Sequence, residues 1–88
     1  MTTAAEIKRD LPKPNQVYRH FKGGLYKILD IAEHTENHER LVVYKALHGT
    51  KSIYARPVSM FMSPVNTKKY PEVKQFFRFE LVEGGMTK

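Results

Sequence analysis

Eighty-eight residues, 41% of them hydrophobic and 27% charged, are enough for one small domain with a modest core. There is no cysteine, so neither a disulfide nor a thiolate zinc centre can reinforce that core, and a reducing compartment suits the composition. The net charge of +6 favours anionic partners, and the longest apolar run, Leu41–Val43, is far short of the ~20 residues a membrane helix needs.

The first ten residues lack the apolar segment of a secretory leader, and the expected setting is the cytoplasm. Residues 1–16 read as a flexible lead-in. Residues 3–10 are long enough for one helical turn, and Pro12 and Pro14 then block both helix and sheet ladders. Val17 to Phe21 alternates apolar and polar side chains, as a half-buried strand does. Its alternation puts Val17, Arg19 and Phe21 on one face and Tyr18 and His20 on the other. Lys22-Gly23-Gly24 supplies a turn, because glycine adopts positive φ without steric cost.

Leu25 to Thr35 reads as a second, longer strand whose phase changes part-way. Tyr26 and Ile28 fall on one face, Leu29 and Ile31 on the other, which predicts a bulge or sharp bend at Ile28–Leu29. A polar loop over 36–39 leads to Arg40–Leu47, rich in β-branched and aromatic residues and apolar on both faces, hence a central strand. His48 to Lys51 is a hairpin turn around Gly49, and Ser52 to Arg56 a fourth strand stopped by Pro57. Val58 to Phe61 lacks strand alternation. Pro57 as a first helical residue suits a single turn that drops Phe61 into the core. A loop over 63–73 precedes a fifth strand over 75–82, where Phe77, Phe79 and Leu81 should face inward.

The fold expected is therefore mainly β: a small five-stranded antiparallel SH3-like barrel with one short helical turn before the last strand. An OB-type barrel would place its helix between the third and fourth strands, and no such segment is present. The ordered domain is expected over 17–82, with a tail over 83–88. The expected core is Phe21, Ile28, Leu29, Ile31, Val43, Leu47, Ile53, Phe61, Phe77 and Phe79.

The charges are unevenly spread. Asp30, Glu33, Glu36 and Glu39 fall in residues 30–39, which hold no lysine or arginine. Lys45, Lys51, Arg56, Lys68, Lys69 and Lys74 fall in 45–74 against Glu72 alone. Of the four histidines (His20, His34, His38, His48), the closest pair is His34 and His38, four apart but across a loop rather than on a helix; His20 and His34 could meet across the first two strands but lack a third ligand. There is no Gly-x-Ser-x-Gly elbow and no phosphate-cradling glycine loop. Asp30 and Glu33, three apart on a strand, point to opposite faces and do not make an acid/base pair. No metal and no cofactor are implied.

The set with most chemical content is Tyr18, His20, Tyr26, Tyr44, Lys45, Tyr54 and Arg56. Rings and an arginine fork on a curved sheet can stack a base and grip a phosphate. The competing reading is that the tyrosines pack the core and Arg56 pairs with Glu33 or Asp30.

Blocks of sequence add a resemblance. Tyr18-Arg19-His20-Phe21-Lys22-Gly23, Tyr26, His34-Thr35-Glu36, Leu41 to Gly49, Arg56-Pro57 and Met60-Phe61 resemble, in order and spacing, the bacterial family catalogued as domain of unknown function 1653. The resemblance runs from Val17 to Val65 and resumes at Phe76–Leu81. Tyr54 stands where that family often has Trp, and His48 where it often has Tyr. The resemblance implies the fold and a bacterial cytoplasmic setting and little chemistry. The function expected is a non-enzymatic binding module for nucleic acid or a nucleotide. The alternatives are a protein- or peptide-binding adaptor, and a small enzyme acting on a nucleotide-like or phosphorylated compound. The oligomeric state is left open.

Overall fold

The computed structural model describes residues 10–83. Five strands form: β1 (Val17–His20), β2 (Leu25–Glu33), β3 (Arg40–Ala46), β4 (Ile53–Pro57) and β5 (Phe79–Glu83). One helical turn, α1 (Val58–Phe61), separates β4 from β5. All pairings are antiparallel, in the order β4-β3-β2-β1-β5. The five antiparallel strands and the helical turn before the last are those the sequence predicts. The sheet is not closed into a barrel, because β4 and β5 remain its two edges and share no backbone ladder.

The phase change in β2 is a bulge at the predicted place. Ile28 pairs with Tyr44 and Asp30 with Val43, so Leu29 is the extra residue. The bulge turns both Ile28 and Ile31 toward the core and sends Asp30 outward. Without it, strict alternation from Ile28 would aim the Asp30 carboxylate at an apolar interior. The chain ahead of β1 is anchored at the same place: the amide of Asn15 donates to the carbonyl of Ile28 (2.8 Å), and the Ile28 amide to that of Gln16 (2.8 Å). Residues 1–9 of the lead-in, most of its candidate helical turn, and residues 84–88 of the tail lie outside the described residues.

The core sits on the concave face, where Tyr18, Ile28, Val42, Tyr44, Phe61 and Phe79 are buried. Phe61, carried by α1, stacks on Phe79 with centroids 4.1 Å apart and planes at 9°. Pro57 is the last residue of β4 and the N-cap of α1, one position before the helical start expected for it. Of the expected core, Ile28, Phe61 and Phe79 are fully buried, and Phe21, Leu29, Ile31, Val43 and Phe77 are half-buried. Leu47 is exposed and Ile53 is 60% exposed, while Tyr18, Val42, Tyr44 and Ala46 are buried in their stead. β3 is apolar on both faces, so hydropathy left its phase open. The pairings of Tyr44 with Ile28 and with Tyr54 turn the even-numbered residues inward.

β5 begins later than expected. The Gln75 amide donates to the carbonyls of Phe77 (2.8 Å) and Arg19 (3.1 Å), so a side chain occupies acceptors that a longer strand would engage by backbone. Phe77 instead makes an isolated bridge with Pro64. Leu81 shares the face of Phe79 but lies at the sheet edge, 49% exposed.

Candidate functional site

Strand pairing brings most of the ring-and-arginine set onto one surface. Tyr18 lies opposite Tyr26, Ile28 opposite Tyr44, Tyr44 opposite Tyr54, and Val42 opposite Arg56. All of these share the concave face. Lys45 projects from the other face, beside Lys27 and Ile53. Tyr18 is only 3% exposed, packs edge-on against Phe61 and belongs to the core. The remaining five residues, His20, Tyr26, Tyr44, Tyr54 and Arg56, line one shallow hollow of about 130 Å³ with Phe79 as their sixth wall.

The rings of this hollow meet mainly edge to face. Tyr26 is 5.5 Å from Tyr44, 5.8 Å from Phe79 and 5.3 Å from His48, centroid to centroid. Tyr54 lies 5.7 Å from Tyr44 and is nearly half exposed, so part of its surface faces solvent. Burial, and after it the neighbouring Tyr54 and Tyr44 hydroxyls, raise the Tyr26 phenol above its ordinary value, so the ring stays neutral at physiological pH.

Arg56 connects the two sheet edges. Its Nε donates to the Tyr44 hydroxyl (3.2 Å), and its guanidinium stands 5.9 Å from the centroid of the Phe79 ring. β4 and β5 are not hydrogen-bonded, so this approach reflects the curl of the sheet. Neither Glu33 nor Asp30 is its partner. Glu33 instead accepts from the His38 ring (2.6 Å) at the acidic hairpin. Among the described residues, the terminal nitrogens of Arg56 make no hydrogen bond.

Beside this hollow opens a larger cleft of about 320 Å³, and His20 and Arg56 belong to both. Its other walls come from the β1–β2 turn (Phe21, Lys22), the loop before β5 (Asn66, Lys69, Tyr70) and Arg78. The Asn66 side chain accepts from the amides of Lys68 (3.0 Å) and Lys69 (3.2 Å), which folds this loop back on itself. The Phe21 and Tyr70 rings meet at 4.9 Å and join the turn to the loop. The ammoniums of Lys22 and Lys69 lie 5.1 and 5.6 Å from the Tyr70 ring. Hydrogen bonding from Lys22 is the main cause that holds the Tyr70 phenol below the usual tyrosine value. Four cations, Lys22, Arg56, Lys69 and Arg78, thus border a cleft that no carboxylate lines.

His20 stands at the junction. Its Nδ1 accepts from the Lys22 amide (3.1 Å), so in the neutral ring the proton resides on Nε2. Burial first, then the charges of Arg56, Arg78 and Lys22, depress its pKa. At neutral pH the ring is therefore an uncharged hydrogen-bond donor. His34 lies beyond the far end of β2 and does not approach it. Among the described residues there is no cluster of three or more histidine, aspartate or glutamate side chains able to hold a metal. No helix among them is long and apolar enough to cross a membrane.

The family model described as "Protein of unknown function (DUF1653)" matches residues 16–81. The chain belongs to this family. It is also similar to the crystal structure of a DUF1653 protein from Bordetella bronchiseptica, at 28% identity, a TM-score of 0.67, and coverage of 86% of this chain and 94% of that one. No curated protein matches it.

The sequence-derived set of this DUF1653 chain does not include Phe21, Lys22, Asn66, Lys69, Tyr70 and Arg78, which line the cleft, and Phe79, expected in the core and buried there, also walls the aromatic hollow. Lys68-Lys69 was visible as part of the basic excess. Nothing local signalled that this loop would fold beside the β1–β2 turn.

Proposed function

We propose that this DUF1653 domain is a binding module for nucleotides or nucleic acid. The observation that carries the reading is the continuity of an aromatic hollow with a basic cleft through His20 and Arg56. Exposed ring surface at Tyr54 offers stacking to a base, a contact worth about 1–3 kcal/mol per base. Arg56 and Arg78 supply planar forks for phosphate oxygens, and Lys22 and Lys69 supply point charges. The cleft volume of about 320 Å³ is at the lower end for ligand pockets and suits one nucleotide unit. The resemblance to a bacterial family and the lack of cysteine support a cytoplasmic setting for this activity.

Two other readings have less support. An adaptor that captures an extended peptide would use the open β4 edge, where Ile53 and Tyr54 are exposed. An enzyme would need a general base. Among the described residues the cleft contains no carboxylate, and the free ring nitrogen of His20 carries a proton.

Titration of the chain with short single-stranded RNA and DNA and with mononucleotides, at low and moderate salt, tests the reading. Binding that weakens steeply with salt is expected for phosphate contacts. Absence of binding at low salt would reject it and put the peptide adaptor first.

A further inference from the structure

We infer that the basic cleft is a subsite for a terminal phosphate, so that the ligand is a nucleoside monophosphate or a phosphorylated strand end rather than the interior of a strand. This rests on the reading of the domain as a nucleotide-binding module and names the chemistry of the cleft within it.

The argument begins with charge. An internal phosphodiester carries one negative charge, whereas a phosphomonoester carries about −1.5 to −2 at pH 7 and three acceptor oxygens. Four cations from separate elements converge on the cleft: Lys22 from the β1–β2 turn, Arg56 from β4, Lys69 from the loop before β5, and Arg78. Among the described residues, none of the four is paired with a carboxylate; the two ion pairs found are Arg19–Glu80 and His38–Glu33. Such an excess of unneutralised positive charge suits a dianion better than a monoanion.

The donor set also suits a phosphate with three free oxygens. The terminal nitrogens of Arg56 and the Nε2–H of His20 are available to it, and the Lys22 and Lys69 ammoniums, which hydrogen-bond Tyr70, each keep further N–H donors. Tyr70 lies between the two lysines, and its hydroxyl adds a donor once a ligand draws the lysines away. Polarity then follows from the arrangement of the two hollows. The rings of Tyr26, Tyr44 and Tyr54 are on one side of His20 and Arg56, and Lys22, Lys69 and Tyr70 are on the other. A base against the rings puts its phosphate in the basic cleft. The Phe21–Tyr70 ring contact joins turn to loop on that side, where an internal strand would have to continue.

Calorimetric titration of the full chain decides the matter with matched ligands: adenosine, its 5′- and 3′-monophosphates, and short oligonucleotides ending in hydroxyl or in phosphate. Phosphate-ended ligands should bind at least about tenfold more tightly than their hydroxyl-ended counterparts. Lys69→Met should shrink that advantage to about threefold or less, while Lys45→Met, on the opposite face, should leave it intact. A mononucleotide that binds as well as the phosphorylated oligonucleotide identifies a free nucleotide as the source; tighter binding of the oligonucleotide identifies a strand end. Equal affinity for phosphorylated and hydroxyl-ended strands would overturn the inference and leave the nucleic-acid reading standing. A phosphate advantage that survives both Lys69→Met and Lys22→Met would overturn the assigned location. If no ligand in the series binds, both readings fall.

Discussion

The guanidinium of Arg56, on one edge strand of the sheet, stands 5.9 Å from the ring centroid of Phe79, on the other. No backbone hydrogen bond joins those strands, so one arginine side chain spans the gap that keeps the sheet from being a barrel. The same arginine borders both hollows of the candidate site. Its structural and binding roles can be separated by substitution. Arg56→Ala removes the bond to the Tyr44 hydroxyl and the contact with Phe79, and should cost about 1–2 kcal/mol in chemical denaturation. Affinity for a nucleotide ligand should fall by more than that loss alone explains, since the folded fraction stays high. Arg56→Lys keeps the charge and loses the fork, and should weaken binding about tenfold with a smaller stability change.

Phe61 has the opposite profile. It is fully buried and stacked on Phe79, behind the wall of the aromatic hollow, and lines neither hollow itself. Phe61→Ala should destabilise the domain by about 3–5 kcal/mol, a large share of the stability of so small a protein. Ile53→Ala, at a 60% exposed position, should change stability by no more than about 0.5 kcal/mol. Thermal unfolding followed by circular dichroism compares the two directly.

His20 predicts a pH dependence with a definite sign. Its folded-state pKa is lowered from the ordinary 6.5 by burial and by Arg56, Arg78 and Lys22. Below 6.5 the unfolded chain takes up a proton at this residue that the folded domain resists. The unfolded state then binds more protons, so stability is fully present above 6.5 and declines as pH falls toward the lowered value. His20→Gln should flatten this part of the stability profile. An anionic ligand offsets the surrounding cations and favours the imidazolium, so binding at mildly acid pH should take up protons. Calorimetry in two buffers of different ionisation enthalpy measures that uptake, and the His20 ring proton titrated by NMR gives the shift itself.

Gly24 is held at φ +89° in the β1–β2 turn, and a Cβ there would come within 2.6 Å of the His48 ring nitrogen. The ring can swing away, so backbone strain dominates the cost. Gly24→Ala should destabilise by about 1–2 kcal/mol. It should also displace His48 from its 5.3 Å contact with Tyr26, which a change in the aromatic NMR shifts of Tyr26 would report.

The chain's own pattern determined much of the architecture of this DUF1653 domain. Alternation over Val17–Phe21, the phase change at Ile28–Leu29, the glycine turns and the unalternating Val58–Phe61 are local signals, because strand pleat and turn conformation depend on neighbours in sequence. Period-two spacing put Tyr18 with His20 and Tyr54 with Arg56 within their own strands; that Tyr26 and Tyr44 join His20, Tyr54 and Arg56 on one surface, and Lys45 does not, is decided by strand pairing. Three further matters needed the tertiary structure. The face that β3 presents to the core is invisible in Leu41–Leu47, where both faces are apolar, and is decided by the pairing of Tyr44 with Ile28 and Tyr54. The burial of Tyr18 follows from Phe61, which α1 lowers against it. The basic cleft exists because the sheet curls until Arg56 approaches Phe79 and because Phe21 meets Tyr70. These contacts join residues far apart in the chain, and periodicity, which is a property of one segment, carries no information about which segments will meet.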